Sequence, residues 1–194
     1  MNTNNPHPRT FDKVFVLDTN VILEDASQLI SIGENGKNLI VLPETVIDEL
    51  DNKKSGFSEI NFQAREFGRI LAEAEVIGIT TSVSKTIMSV KTKDVFIDII
   101  SFDNYDLDDV DRSIINDRKI IAVAQFATSH YEMPETTILI SNDVMCRTRA
   151  ISLNVKTESI ASNKISIENV FIKVLDGLDS AYFNSMQNKH IRDY

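Results

Sequence analysis

Three short apolar runs, each stopped abruptly by polar residues, constrain the fold of this chain more than any other feature. Val14-Phe15-Val16-Leu17 ends in Asp18-Thr19-Asn20, Leu39-Ile40-Val41-Leu42 ends in Pro43-Glu44, and Ile138-Leu139-Ile140 ends in Ser141-Asn142-Asp143. Runs of this length without polar alternation read as strands buried on both faces, as in a parallel sheet covered by helices. The intervening segments carry helical spacing. Val21 to Ile32 aligns Leu23, Leu29 and Ile30, with Glu24 and Asp25 suited to a first turn. Pro43 opens a second helix with Val46, Ile47 and Leu50 on one face. Phe62 to Val76 is a third, amphipathic one. Asn116-Asp117 give an N-cap-like start to a buried helix through Ile120, Ile121, Val123, Ala124 and Ala127, and Arg147 to Ile151 is a short helix. Residues 78–100, rich in β-branched side chains, read as strands or a hairpin, and Asn154 to Thr157 as a last strand. Strands alternating with helices imply an α/β sandwich around a mainly parallel sheet. The folded domain is expected over 12–158, with 159–194 as a C-terminal extension or linker.

The chain has 194 residues and a formal net charge of −9. That balance argues against a broad basic face gripping duplex DNA, which needs clustered Lys and Arg. Most of the surplus lies in one stretch, Asp94 to Asp111, with seven Asp and no base. It reads as an acidic insertion, loop-like from Phe102 onward: a plain soluble acidic loop, or else one that screens a cleft or docks a basic partner. A single cysteine, Cys146, excludes an internal disulfide and a cysteine-built zinc site. The N-terminus lacks the apolar core of a signal peptide and no run is long enough to span a bilayer, so cytoplasmic residence is expected. There is no P-loop and no G-x-G-x-x-G.

Two of the expected strands end in a carboxylate, Asp18 and Asp143, and the ends of parallel strands are where α/β sheets carry function. Two helices supply Glu49 and Asp117. Taken singly, an Asp after a strand is usually a helix cap and a helical Glu usually faces solvent. Four converging carboxylates would repel unless neutralised, and hard divalent cations with oxygen ligands, Mg²⁺ or Mn²⁺, suit them best. Such a site suits phosphodiester hydrolysis.

Residues 13–52, K-V-F-V-L-D-T-N-V-I-L through V-L-P-E-T-V-I-D-E-L-D-N, together with N-D-R-K-I-I-A-V-A at 116–124 and I-L-I-S-N-D-V-M-C-R-T-R-A-I-S-L at 138–153, resemble a PIN domain. The resemblance is nearest to the PIN domain found at the N-terminus of PhoH-like proteins, and it covers about residues 12–158. It implies a three-layer α/β/α sandwich and a metal-dependent ribonuclease with one or two Mg²⁺ or Mn²⁺ ions. The family's acidic positions carry over onto Asp18, Glu49, Asp117 and Asp143, with Glu49 favoured over its neighbours Asp48 and Asp51. Asn20 would position a water or a phosphate oxygen, and Asn116 and Asn142 are either supporting donors or turn residues. By resemblance alone, a homodimer and a PhoH-like ATPase domain are candidate partners.

Basic residues follow each acid: Lys53 and Lys54 after Glu49, Arg118 and Lys119 after Asp117, Arg147 and Arg149 after Asp143, with Arg65 and Arg69 four apart on a helix. They read as a phosphate path for single-stranded RNA, with Lys53, Lys54, Arg65, Arg118 and Arg147 as substrate contacts, or else as solvated surface charge. The expected products carry 5′-phosphate and 3′-hydroxyl ends. The rival reading inside the family is a catalytically weak domain serving as an RNA-binding or protein-docking module. A receiver domain lacks its extra acids and late Lys here, and a haloacid-type phosphatase would need an acid where Asn20 stands.

Overall fold

A computed structural model describes residues 7, 10–93, 95–105, 114–133 and 135–160. The expected 159–194 extension lies outside the described residues beyond Ile160, as does the core of the acidic stretch, 106–113. The elements in chain order are β1 (Lys13–Leu17), α1 (Thr19–Glu24), α2 (Gln28–Gly33), β2 (Asn38–Pro43), α3 (Glu44–Asn52), α4 (Glu59–Ala72), β3 (Glu75–Ser82), β4 (Lys85–Thr92), β5 (Val95–Phe102), α5 (Ile115–His130), β6 (Thr137–Ile140), α6 (Val144–Ser152) and β7 (Thr157–Glu158). They build a three-layer α/β/α sandwich on a 7-stranded sheet of order β3-β4-β5-β2-β1-β6-β7. From β5 to β7 all neighbours are parallel, and β3-β4-β5 is an antiparallel meander on one side.

The apolar runs behave as read. β2 and β6 are buried at every position and β1 at all but Lys13, whereas the outermost β3 is mostly exposed. Strand β1 sits between β2 and β6, so the chain leaves it to one side and returns to the other. That reversal opens a crevice at the carboxyl ends of the strands, where α/β sheets bind ligands. No described helix is long and apolar enough to cross a membrane.

Four expectations are corrected. The helix over 21–32 is two helices, because Asp25 is extended (φ −162, ψ 105). Its carboxylate takes the Ser27 N–H at 2.9 Å and the Ser27 hydroxyl at 2.7 Å, a local turn that competes with helix continuation. The helix expected over 62–76 is displaced to 59–72, and Val76 already belongs to β3. Asp117 lies inside the first turn of α5, whose N-cap is Ile114. The stretch 94–111 is not an insertion throughout, since Val95–Phe102 is a strand paired to β2. Its Asp98 is 2% exposed. Asp98 accepts the Tyr131 hydroxyl and meets His7 Nε2 at 2.9 Å, which answers the cost of a carboxylate buried in the sheet.

Two predictions arise from the scaffold. Gly33 packs against β5 so closely that a Cβ there would lie 2.8 and 2.9 Å from the Val95 methyls. Gly33→Ala should therefore cost about 1–3 kcal/mol, read from urea unfolding. His130, stacked on Phe126 at 4.9 Å, is held below its ordinary pKa by burial, opposed by Asp98 and assisted by Lys85. A depressed histidine contributes stability that is present above pH 6.5 and is lost as pH falls through the folded value. Acid unfolding of His130→Gln should consequently show a shallower loss below pH 6.5 than the wild type.

Candidate active site

The crevice holds a cavity of about 400 Å³ lined by Asp18, Thr19, Asn20, Leu23, Glu49, Asn52, Lys53, Asp117 and Asp143. All four acids singled out in the sequence are thus brought together from four separate segments. Asp18 follows β1, Glu49 sits in α3 after β2, Asp117 in the first turn of α5, and Asp143 caps α6 after β6.

Each carboxylate is held differently. Asp18 stands at the N-cap of α1 yet its side chain makes no capping bond. Its Oδ2 instead accepts the Asn20 amide and the Ser141 hydroxyl, both at 2.6 Å, joining the ends of β1 and β6. Glu49 accepts the Thr19 hydroxyl on one oxygen and the Asn116 amide on the other. Asp117 pairs with Arg149 through Oδ2. Asp143 does cap its helix, since Oδ1 accepts the Met145 N–H at 2.7 Å.

The electrostatics follow from this crowding. Burial pushes the Asp18 carboxyl above its ordinary pKa; the Ser141 hydroxyl and the Thr19 N–H draw it down, and Asp117 and Glu49 push it up. Asp117 is likewise raised by burial, with Arg149 opposing and Asp143 and Glu49 adding to the rise. Burial, with the negative charges of Asp18 and Asp117, pushes the Cys146 thiol to about 12. A thiol raised in this way is a poor nucleophile and a poor soft ligand.

Among the described residues, no three His, Cys, Asp or Glu side chains are gathered into a ready coordination set. The four acids are spread around the cavity wall. Their donor set still fits a hard divalent cation, because every donor is a carboxylate oxygen and two of them carry charge the protein alone disfavours.

The basic residues divide. Lys53 lines the cavity. Lys54 pairs with Asp51 at 2.8 Å. Arg65 donates to the carbonyls of Lys54 and Gly56, both at 2.9 Å, and Arg147 to the carbonyl of Ser141 at 2.7 Å, so both brace loops. Arg118 buries its Nε and does not line the cavity. Asn20 lines the cavity and also ties the strand ends together, because its Oδ1 accepts the Asn142 N–H at 2.9 Å. Asn142 donates to Glu24, while Asn116 is the donor to Glu49. Sequence reasoning missed Thr19 and Ser141 as supports and Arg149 as the partner of Asp117. The signal for the first two was the pair of polar triplets, D-T-N and S-N-D, closing adjacent strands.

The fold is thus a mainly parallel α/β sheet with four acids around one cavity at its carboxyl edge, and this chain belongs to the PIN domain family, whose model matches residues 15–161. The family is one of nucleases, generally acting on RNA and commonly metal-dependent. The chain is 26% identical over 161 residues to Protein PhoH2 of Bacillus subtilis (strain 168), a match that covers 79% of this chain and 34% of that protein. It therefore spans about a third of that relative's length. In fold it is similar to a domain of a functionally unknown protein from Methanocaldococcus jannaschii DSM 2661, with a TM-score of 0.50 and 17% identity over 76% of this chain and 91% of the other.

Proposed function

We propose that this chain is an endoribonuclease that hydrolyses single-stranded RNA to 5′-phosphate and 3′-hydroxyl ends, with Asp18, Glu49, Asp117 and Asp143 holding one or two Mg²⁺ or Mn²⁺ ions. The observation that supports it is the assembly of these four acids around one cavity at the carboxyl edge of the sheet. A divalent cation in such a site lowers the pKa of water and neutralises charge developing on a phosphodiester. The chain's own residues do the positioning. Asn20 and Ser141 fix the direction of Asp18, and Thr19 and Asn116 clamp both oxygens of Glu49. Lys53, at the cavity, meets an approaching phosphate.

A second reading, an RNA-binding or protein-docking module of little catalytic power, draws on two engaged acids: Asp117 is tied to Arg149 and Asp143 caps α6. Cleavage of an end-labelled single-stranded RNA separates the two. The nuclease reading expects cutting with Mn²⁺, none with EDTA, and a 5′-phosphate on the downstream fragment. Cutting that persists in EDTA would sink the metal site, and tight binding without cutting under Mn²⁺ would favour the module.

A further inference from the structure

The loop between α3 and α4 presents Phe57 fully exposed. Isolated exposed apolar residues are ordinary, but this one is carried on a loop with an unusual amount of bracing. Asn61 donates to the carbonyl of Lys53 at 2.8 Å and accepts the Ser58 N–H at 2.9 Å and its hydroxyl at 2.6 Å. Arg65 holds two more carbonyls, those of Lys54 and Gly56. Gly56 takes φ 119, and a Cβ there would lie 2.5 Å from Asn61 Oδ1, so only glycine lets the loop close on Asn61. Five hydrogen bonds to α4 side chains thus fix the loop's shape while the ring at its apex touches solvent. The loop begins at Lys53, which lines the acid cavity, and Phe57 is four residues on, at most about 14 Å away along the chain.

We propose that Phe57 is a stacking platform for an unpaired base of the RNA strand whose phosphate lies at the cavity, with Lys53 between them contacting the backbone. This rests on the nuclease reading of the site and adds a base subsite to it. Every base has a π-face, so the platform selects single-stranded over paired RNA without selecting sequence. The bracing supports this role: a loop backbone already held in place loses little freedom when a base stacks on the ring it carries.

The chain contains no Trp, so Phe57→Trp installs a single fluorescent reporter at the platform. The full chain, in EDTA so that binding is read without cleavage, is titrated with oligouridine and with inorganic polyphosphate, which carries charge but no bases. Stacking predicts quenching of the introduced indole by oligouridine and not by polyphosphate. It also predicts about tenfold weaker oligouridine binding by Phe57→Ala, roughly 1.4 kcal/mol, with affinity restored in Phe57→Trp. Equal affinity of wild type and Phe57→Ala overturns the platform, as does oligouridine binding that leaves the reporter unquenched, or no binding at all. Cleavage by the wild type under Mn²⁺ is scored separately. A protein that stacks bases but never cuts fails the nuclease reading alone, and one that cuts with Phe57 irrelevant fails the platform alone.

Discussion

Asp18→Asn should abolish RNA cleavage and, in the same protein, raise its stability in EDTA. The substitution is nearly isosteric, and the new carbonyl oxygen can still accept the Asn20 amide and the Ser141 hydroxyl, so the join between β1 and β6 survives. What disappears is a charge at a residue only 6% exposed, which burial and the nearby Asp117 and Glu49 all disfavour. A raised carboxylate begins to destabilise the folded state as pH climbs past 3.8 and does so in full above its folded pKa. The gain from Asn should therefore be present at neutral pH and vanish as pH falls toward 3.8. Mn²⁺ should reverse the order, stabilising the wild type and leaving Asp18→Asn unmoved. Cleavage should fall by roughly a hundredfold or more, since charge stabilisation by a cation is worth several kcal/mol. Urea unfolding with and without Mn²⁺, beside the RNA assay, gives both readings. A variant less stable than wild type in EDTA would mean that Asp18 is there for the fold.

Removing Arg149 should produce the second large effect. Its guanidinium meets Asp117, and the two side chains are 26% and 25% exposed. Without it Asp117 is left facing Asp143 and Glu49 with no opposing charge. Breaking a buried pair from one side costs about 3–5 kcal/mol; partial exposure here reduces that to about 1–2 kcal/mol for Arg149→Ala. Adding Asp117→Asn to Arg149→Ala should restore most of the stability, because it removes the stranded charge. It should not restore cleavage, because it also removes one of the proposed metal ligands. Recovery of both properties in the double variant would show that Asp117 has no part in the chemistry. Failure to recover stability would show that Arg149 acts through packing.

The parts of the fold that were legible are those where local chemistry and tertiary environment agree. β1, β2 and β6 were readable because a strand buried on both faces reads as a nearly continuous apolar run, and the polar residues that follow the run mark its end. The acids at 18 and 143 were readable for the same reason, as members of the polar triplets that stop those runs. Asp25 was misread because its spacing fits a helix while its carboxylate is free to capture the Ser27 N–H. Asp98 was counted with a surface stretch because formal charge says nothing about burial; its partners His7 and Tyr131 lie 91 and 33 positions away. The bases were read as a phosphate path or as solvated surface charge, and their bonding partners were not legible. An arginine near an acid in sequence, such as Arg147 or Arg65, can as readily turn to a backbone carbonyl, which needs a donor wherever a loop leaves one open.

By itself, the sequence determined the α/β alternation, the ends of the buried strands and the acids Asp18 and Asp143 that close two of them, because burial periodicity and the chemistry of a strand's end are local properties. Glu49 and Asp117, on helices, were singled out with the help of the family resemblance. Only the tertiary structure decided that those acids share a cavity, that Thr19, Asn116, Ser141 and Arg149 hold them, and that Phe57 stands out on a braced loop. The cavity and the bonds that hold its acids depend on contacts between residues 30 to 123 positions apart, and on a sheet order that places β1 between β2 and β6. Local preference cannot encode such distances; the parallel strands bring them to one edge because they all point the same way.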